Sequence, residues 1–233
     1  MAFPITSTQQ SIVQRLSAFR ERFGTKAAVY KALDVVLHKA FGASVHTVVW
    51  LDLKNLAKMS PPDPQFTFRF LTADEVETYV KDPVYFLNPA LPDAIRAGRE
   101  LCFGVLAGEQ LAAFGCYSLD YAKPEQASGT TISFPSDVAY MSYGLTHPDF
   151  RGARLHGLAM ALALEELAKR GITKLVSLVS WTNWASLKSC HRLGYINIGN
   201  MLTVGGKSHA IGLYPKAAKQ FGVRFGRKAI KPE

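Results

Sequence analysis

The sequence predicts an α+β domain: a mixed, mostly antiparallel central sheet flanked by helices, with a helical extension in front. Three observations lead there. Strand-like and helical segments alternate from Phe66 to Tyr214. The turns Gly108-Glu109 and Gly205-Gly206 join neighbouring apolar runs in the manner of antiparallel hairpins. A long helix separates the strands Asp137–Thr146 and Lys174–Ser180, and a helical crossover of this kind implies one parallel pair.

Ser11 to Phe41 reads as helical, hinged near Gly24. Val29, Leu33, Val36, Leu37 and Phe41 recur at spacings near three and four, and Lys26, Lys31 and Lys39 lie around them. Such a stripe either rests on a membrane surface or packs on the main domain. Val45–Leu53 is a short β-rich run, and Pro61-Pro62-Asp63-Pro64 then breaks regular structure. The domain boundary is placed there: residues 1–64 form the extension and linker, 65–215 the main domain, and 216–233 a basic tail.

Within the main domain Phe66–Leu71 alternates like a strand. Thr72-Ala73-Asp74-Glu75 combines an N-cap with acidic residues, so a helix starts there. A second short helix is expected at Pro92–Gly98. Leu101–Ala107 and Gln110–Leu119 form a hairpin, and the polar stretch Asp120–Ser136 reads as a long loop over a ligand site. Leu155–Arg170 is the clearest helix, with Leu155, Leu158, Ala159, Leu162, Ala163 and Leu167 on one face and Gly171 as its stop. A helix at Asn183–Leu193 ends at Gly194. Tyr195–Val204 and Lys207–Tyr214 make the last hairpin.

Composition narrows the function classes. With 48% hydrophobic and 19% charged residues the chain is that of a folded protein, and no apolar run has the ~18–20 residues of a membrane span. The start lacks a basic segment followed by an apolar stretch, and the three cysteines show neither metal-like nor disulfide-like spacing. A cytoplasmic location is therefore expected. The net charge of +9 suits an anionic partner, and Lys216 to Lys231 alone carries six basic residues. Nucleic acid is not the expected one, because no aromatic stacking motif accompanies that tail. The six histidines show no metal-ligand spacing, so no metal is expected. No Walker loop, dinucleotide fingerprint or Gly-x-Ser-x-Gly elbow is present.

Two motifs carry chemistry. His147-Pro148-Asp149-Phe150-Arg151-Gly152 links a strand to a helix start, where free backbone N–H groups and the helix dipole favour phosphate. Asn183…Ser186…Leu193-Gly194-Tyr195 follows about thirty residues later. In this order they resemble the GNAT superfamily of acyl-CoA-dependent N-acyltransferases, over roughly Phe66 to Tyr214. The whole chain is similar to bacterial GNAT proteins with an extra N-terminal helical segment.

The resemblance implies that acetyl-CoA or another acyl-CoA binds Leu145, Thr146, Arg151, Gly152, Ala153, Arg154, Leu155, His156 and Gly157, together with Asn183 and Ser186. The chain departs from the family loop Arg/Gln-x-x-Gly-x-Gly/Ala: Arg154 and His156 stand at both later glycines, and Gly157 comes one place late. Arg154 either adds a charged contact to phosphate or fills the phosphate's place. The family often places a tyrosine four residues before its Gly-aromatic pair to protonate the departing thiolate. Here that position is Cys190, so Cys190 and the adjacent His191 are the candidate acids. Tyr140 and Ser142, expected on one side of their strand, are further catalytic candidates. Asp137, Glu100 and Tyr117 are open choices for the base.

The function so implied is transfer of an acyl group, most simply acetyl, to an amine by direct attack on the thioester. The amine is a small molecule or part of a polymer. An acidic acyl carrier protein could replace CoA as donor. The alternative class is a catalytically degenerate GNAT-fold binding module that docks an acidic partner or anionic surface through its basic ends.

Overall fold

A computed structural model describes residues 20, 21, 23–60, 63–124, 127, 129–205 and 211–226. Expectations for Ser11–Phe19, for residues 206–210 and for the chain beyond Gly226 lie outside them. The expected α+β architecture is present. Helix α1 is Thr25–Phe41, and strand β1 is Ser44–Asp52. Strand β2 (Phe66–Phe70) precedes helices α2 (Ala73–Val80) and α3 (Leu91–Arg96). The β3–β4 hairpin is Glu100–Ala107 and Gln110–Ser118; β5 (Tyr121–Ala122) and β6 (Thr131–Ser133) are short. Strand β7 (Val138–Thr146), helix α4 (Leu155–Ala168), strand β8 (Lys174–Ser180) and helix α5 (Trp184–Leu193) come next. Strands β9 (Ile196–Val204), β10 (Ile211–Leu213) and β11 (Arg224–Gly226) complete the order.

Eight strands form one sheet in the order β10-β9-β1-β8-β7-β4-β3-β2, in which β7 and β8 are the expected parallel pair. Alternation along each strand feeds two faces. In β1, Val49 and Leu51 enter the core under α4, while Val48 and Trp50 enter the opposite one. Helices α2 and α3 cover that opposite face farther along, over Cys102, Phe114 and Cys116. The N-terminus of α2 has the expected cap. Thr72 and Glu75 form a capping box, and the hydrogen bond from Arg69 leads the contacts that hold Glu75 down at about 2.

Four expectations change. First, the boundary at Pro61–Pro64 does not separate the sheet from an extension. Strand β1 lies inside the sheet, antiparallel to both β8 and β9. Its run of six consecutive buried residues is what burial on both faces requires. Second, the Asp120–Ser136 loop contains β5 and β6. Third, the stretch from Lys216 is not a free tail: β11 pairs with β6 in a second, three-stranded sheet, and Ala218 and Val223 are fully buried. Fourth, the α1 stripe does not pack inward, since Val29, Leu33, Val36 and Phe41 are all exposed.

The inner side of α1 carries buried Ala27, Tyr30 against Trp181 and Trp184, and a polar cluster. Asp34 accepts hydrogen bonds from Trp181 Nε1 (2.7 Å), Lys31 Nζ (2.9 Å) and Thr182 Oγ1 (3.1 Å). Burial pushes the Asp34 carboxyl up, but these donors and the Lys31 charge outweigh it and hold the group below its ordinary value. The first helix thereby pins the turn that begins α5.

Candidate active site

The site begins where two strands part. Strands β7 and β8 pair only at Val138, Ala139 and Tyr140, opposite Lys174, Leu175 and Val176. At the next step the Ser177 hydroxyl donates to the Met141 carbonyl at 2.8 Å, occupying an acceptor on the edge that faces β8. Beyond it each strand follows its outer neighbour: Tyr143–Thr146 pairs with β4, and Leu178–Ser180 pairs with β1. The result is a wedge with half-buried β7 backbone, Ser142 to Thr146, along one wall.

A bulge sets what that wall presents. Cys116 faces Tyr143 and Tyr117 faces Met141, so Ser142 is the extra residue. Met141 joins the core under α4, whereas Tyr143 packs on the opposite side. Tyr140 and Ser142 therefore do not form the expected functional pair. Tyr140 is 1% exposed, and burial raises its phenol well above the ordinary range. Ser142 is half-buried and donates to the Cys116 carbonyl at 3.3 Å.

At the end of β7, His147 to Phe150 makes a tight turn capped by the His147 ring. Arg151, Gly152, Ala153 and Arg154 follow, all exposed, and α4 starts at Leu155. No side chain caps α4, and its first turn has no acidic residue. The N–H groups of Leu155, His156 and Gly157 precede the first helical hydrogen bond, from Leu158 to Arg154, and so have no acceptor within the helix. Gly152 has a φ of +96° and open space where a Cβ would stand.

Arg154 adopts the left-handed backbone usual for glycine, with φ 58° and ψ 18°. The chain keeps a glycine-like turn there without the glycine. Arg151 and Arg154 have no acidic partner among the described residues. His156 turns inward rather than into the loop: a Cβ on Gly144 would lie 2.6 Å from its Cε1. Its Nδ1 is buried without a partner, and burial holds its pKa below the ordinary value.

The remaining sequence candidates separate. Asn183 caps α5, its side chain accepting from Ser186 N at 3.2 Å, and stays exposed beside half-buried Ser186. Cys190 is a core residue whose thiol burial pushes up to about 11, while His191 is exposed. The two candidate acids thus point to different environments. The buried hydroxyls of Tyr117 and Tyr195 interact electrostatically with each other, and that of Tyr195 also with Cys190; neither has a hydrogen-bond partner. No local sequence signal marks this meeting, because β4 and the end of α5 lie far apart along the chain.

A cavity of about 280 Å³ adjoins the wedge wall at Ser142 and Tyr143, with Leu87, Leu91, Glu100 and Cys116 among its lining. Lys123 and Pro124 come from the stretch expected to lie over a ligand. Burial raises the Glu100 carboxyl above its ordinary value, only partly countered by the Ser118 hydroxyl and by Arg99. A second hollow of about 310 Å³ lies at the other end of the parallel pair, where Asp137 pairs with Lys174 and Asp52 with Lys54. No cluster of metal-ligating residues occurs among the described residues. None of their helices is long and apolar enough to cross a membrane.

No family model and no curated protein matches the chain. Solved structures do. A GCN5-related N-acetyltransferase from Kribbella flavida matches with a TM-score of 0.50 at 15% identity, covering 76% of this chain and 65% of that one. The chain has the GNAT fold. A GNAT-family acetyltransferase from Colwellia psychrerythraea gives the same score at 12% identity, covering 70% of this chain and 56% of that one. The chain thus spans between 56% and 65% of the length of these two GNAT structures.

The site also predicts an acid limit to stability. His46 and His156 are both held below their ordinary pKa by burial, with Asp34 countering part of the effect at His46. The unfolded chain then binds more protons than the folded one near and below pH ~6.5, so stability rises with pH there and is lost on acidification. Melting temperature measured from neutral to mildly acidic pH should fall, and His46→Gln should flatten the fall. A pH-independent melting temperature would remove both histidines from this role.

Proposed function

We propose that the protein is an N-acyltransferase that takes an acyl group, most simply acetyl, from acyl-CoA and passes it to an amine. The observation that carries this reading is the parting of β7 from β8 beside the uncapped start of α4. The wedge suits a pantetheine arm. The N–H groups of Leu155, His156 and Gly157 suit the pyrophosphate, with Arg151 and Arg154 adding charge. His156 Nδ1 gives the arm a polar contact beside Gly144, and the α5 start at Asn183 and Ser186 borders the donor's outer part.

In this reading the thioester carbonyl lies against the β7 backbone at Gly144, whose groups alternate with the β4-paired ones of Leu145 and so face the gap. N–H groups aimed at the developing oxyanion would stabilise it. The amine enters from the cavity at Ser142, where Glu100 removes a proton so that a neutral nitrogen attacks. Its raised pKa makes it a stronger base than an ordinary carboxylate. Holding both reactants in one cleft supplies much of the rate. A cytoplasmic location and a possible carrier-protein donor remain parts of this proposal.

Calorimetry with acetyl-CoA tests the donor site. Binding is expected, and no heat at millimolar ligand would overturn the reading in favour of a binding module. Arg154→Gly distinguishes the two roles of that arginine. Glycine relieves a left-handed backbone that costs about 1 kcal/mol in other residues, so the variant should not be less stable than its parent. It should bind acetyl-CoA about tenfold more weakly if the guanidinium holds phosphate. Tighter binding would mean that Arg154 fills the phosphate's place.

A further inference from the structure

The cavity beside Ser142 has chemistry more specific than "an amine". Among the described residues its lining carries one carboxylate, Glu100, and one ammonium, Lys123. Among the described residues neither is in a salt bridge, although the Arg99 charge acts on Glu100. The Lys123 ammonium lies over the Tyr121 ring, 5.7 Å from its centre. Glu100 accepts a hydrogen bond from the Ser118 hydroxyl, at 3.4 Å. One cavity thus holds two charges of opposite sign that do not pair with each other. A polyamine would satisfy Glu100 and be repelled by Lys123, whereas a zwitterion satisfies both.

The rest of the lining is mixed, with Asn88, Ser142 and Tyr143 bringing polar groups to one part of it and apolar residues forming another. Leu87, Leu91 and Pro124 contribute to the apolar part, and Phe86 stands at the rim, 76% exposed. Phe86 has a φ of 49°, a left-handed backbone that costs a non-glycine residue about 1 kcal/mol or more and concentrates at ligand sites. Phe86 thus brings an exposed apolar ring to the edge of the cavity. The volume of about 280 Å³ lies near the lower bound of small-molecule sites, ~300 Å³, and suits one small molecule.

We infer that the acceptor is a free α-amino acid with an apolar side chain. Its amino group meets Glu100, its carboxylate meets Lys123, and its side chain lies under Phe86 against Leu87 and Leu91. This inference rests on the acyltransfer reading. Glu100 takes one proton from the ammonium, and the nitrogen lone pair then attacks the thioester carbon. The C–N bond forms, the C–S bond breaks, and the second proton released at nitrogen ends on the departing thiolate. The products are an N-acyl amino acid and free CoA thiol, with the Glu100 proton returned to water.

The test measures thiol release from acetyl-CoA with leucine and phenylalanine, their decarboxylated counterparts 3-methylbutylamine and phenethylamine, and spermidine. The amino acids should be preferred at least about tenfold in kcat/KM, the worth of one charge-assisted contact. Lys123→Ala should raise KM for leucine by a similar factor while leaving 3-methylbutylamine unchanged, and Lys123→Arg should restore leucine. Equal or better use of the plain amines, or a Lys123→Ala ratio equal to wild type, overturns the inference but not the acyltransferase. If no substrate releases thiol, titration with leucine alone decides. Binding that Lys123→Ala abolishes upholds the amino-acid site on a chain that is not an acetyltransferase, and no binding at millimolar leucine overturns it.

Discussion

Glu100→Gln should lower kcat/KM by at least about 100-fold, the lower bound for losing a positioned general base. The pH profile identifies the cause. In the parent, the rate rises as Glu100 ionises, and that limb should vanish in the variant, leaving only the amine's own deprotonation. Stability should move the other way. Burial raises the folded-state pKa of Glu100, so the folded chain holds a proton that the unfolded chain has released. That favours the folded state at low pH and is lost as pH rises through the folded pKa. Glutamine carries no such charge, so the variant should melt no lower than the parent at neutral pH. Unchanged turnover would strip Glu100 of the role. A broad loss of stability would assign it to packing instead.

Gly194→Ala should be the most destabilising of these changes. Gly194 ends α5 with a φ of +97°, and a Cβ there would lie 2.1 Å from the Asn55 carbonyl oxygen. That oxygen belongs to backbone that cannot swing aside, because Ala57 N donates to the Leu193 carbonyl next door at 3.1 Å. Left-handed strain plus the clash costs on the order of 3 kcal/mol or more. At roughly 2–4 °C per kcal/mol for a chain of this size, the melting temperature should drop by roughly 6–12 °C. Thermal unfolding followed by circular dichroism measures it, and a shift within 2 °C, about what 1 kcal/mol or less produces, would mean that the β1–α5 junction yields.

Much of the fold was legible because its signals are local. The hairpin turn at Gly108, the capping box at Thr72, the apolar face of α4 and the stop at Gly194 each follow from a few neighbouring residues. The helical crossover gave the parallel pair. The place of Ser44–Asp52 was not legible. Its partners lie more than 120 residues away, and an apolar β-rich run looks alike in an extension and in a sheet centre. The α1 stripe misled for a related reason: periodicity shows that an apolar face exists, not which way it points. At the site, the turn from Arg151 to Arg154 could be found from the Arg151-Gly152 pair between strand and helix, although the left-handed residue itself, Arg154, carries no such mark. The bulge at Ser142 had none, so the alternation carried from Tyr140 to Ser142 failed. Cys190 was read by position, and its burial follows from the packing of α5 on α4.

The central strand β1 has a consequence for how the chain is made. It emerges from the ribosome before the other described strands, and its partners β8 and β9 follow more than 120 residues later. At about 5–20 residues per second, a nascent apolar strand stands unpaired for some 6–25 seconds. During that interval the β3–β4 hairpin and helices α2 and α3 can form, but the wedge cannot, because β8 needs β1 on its far side. The donor cleft is therefore among the last parts of the molecule to exist. The waiting strand is also its most exposed target for chaperones and for aggregation.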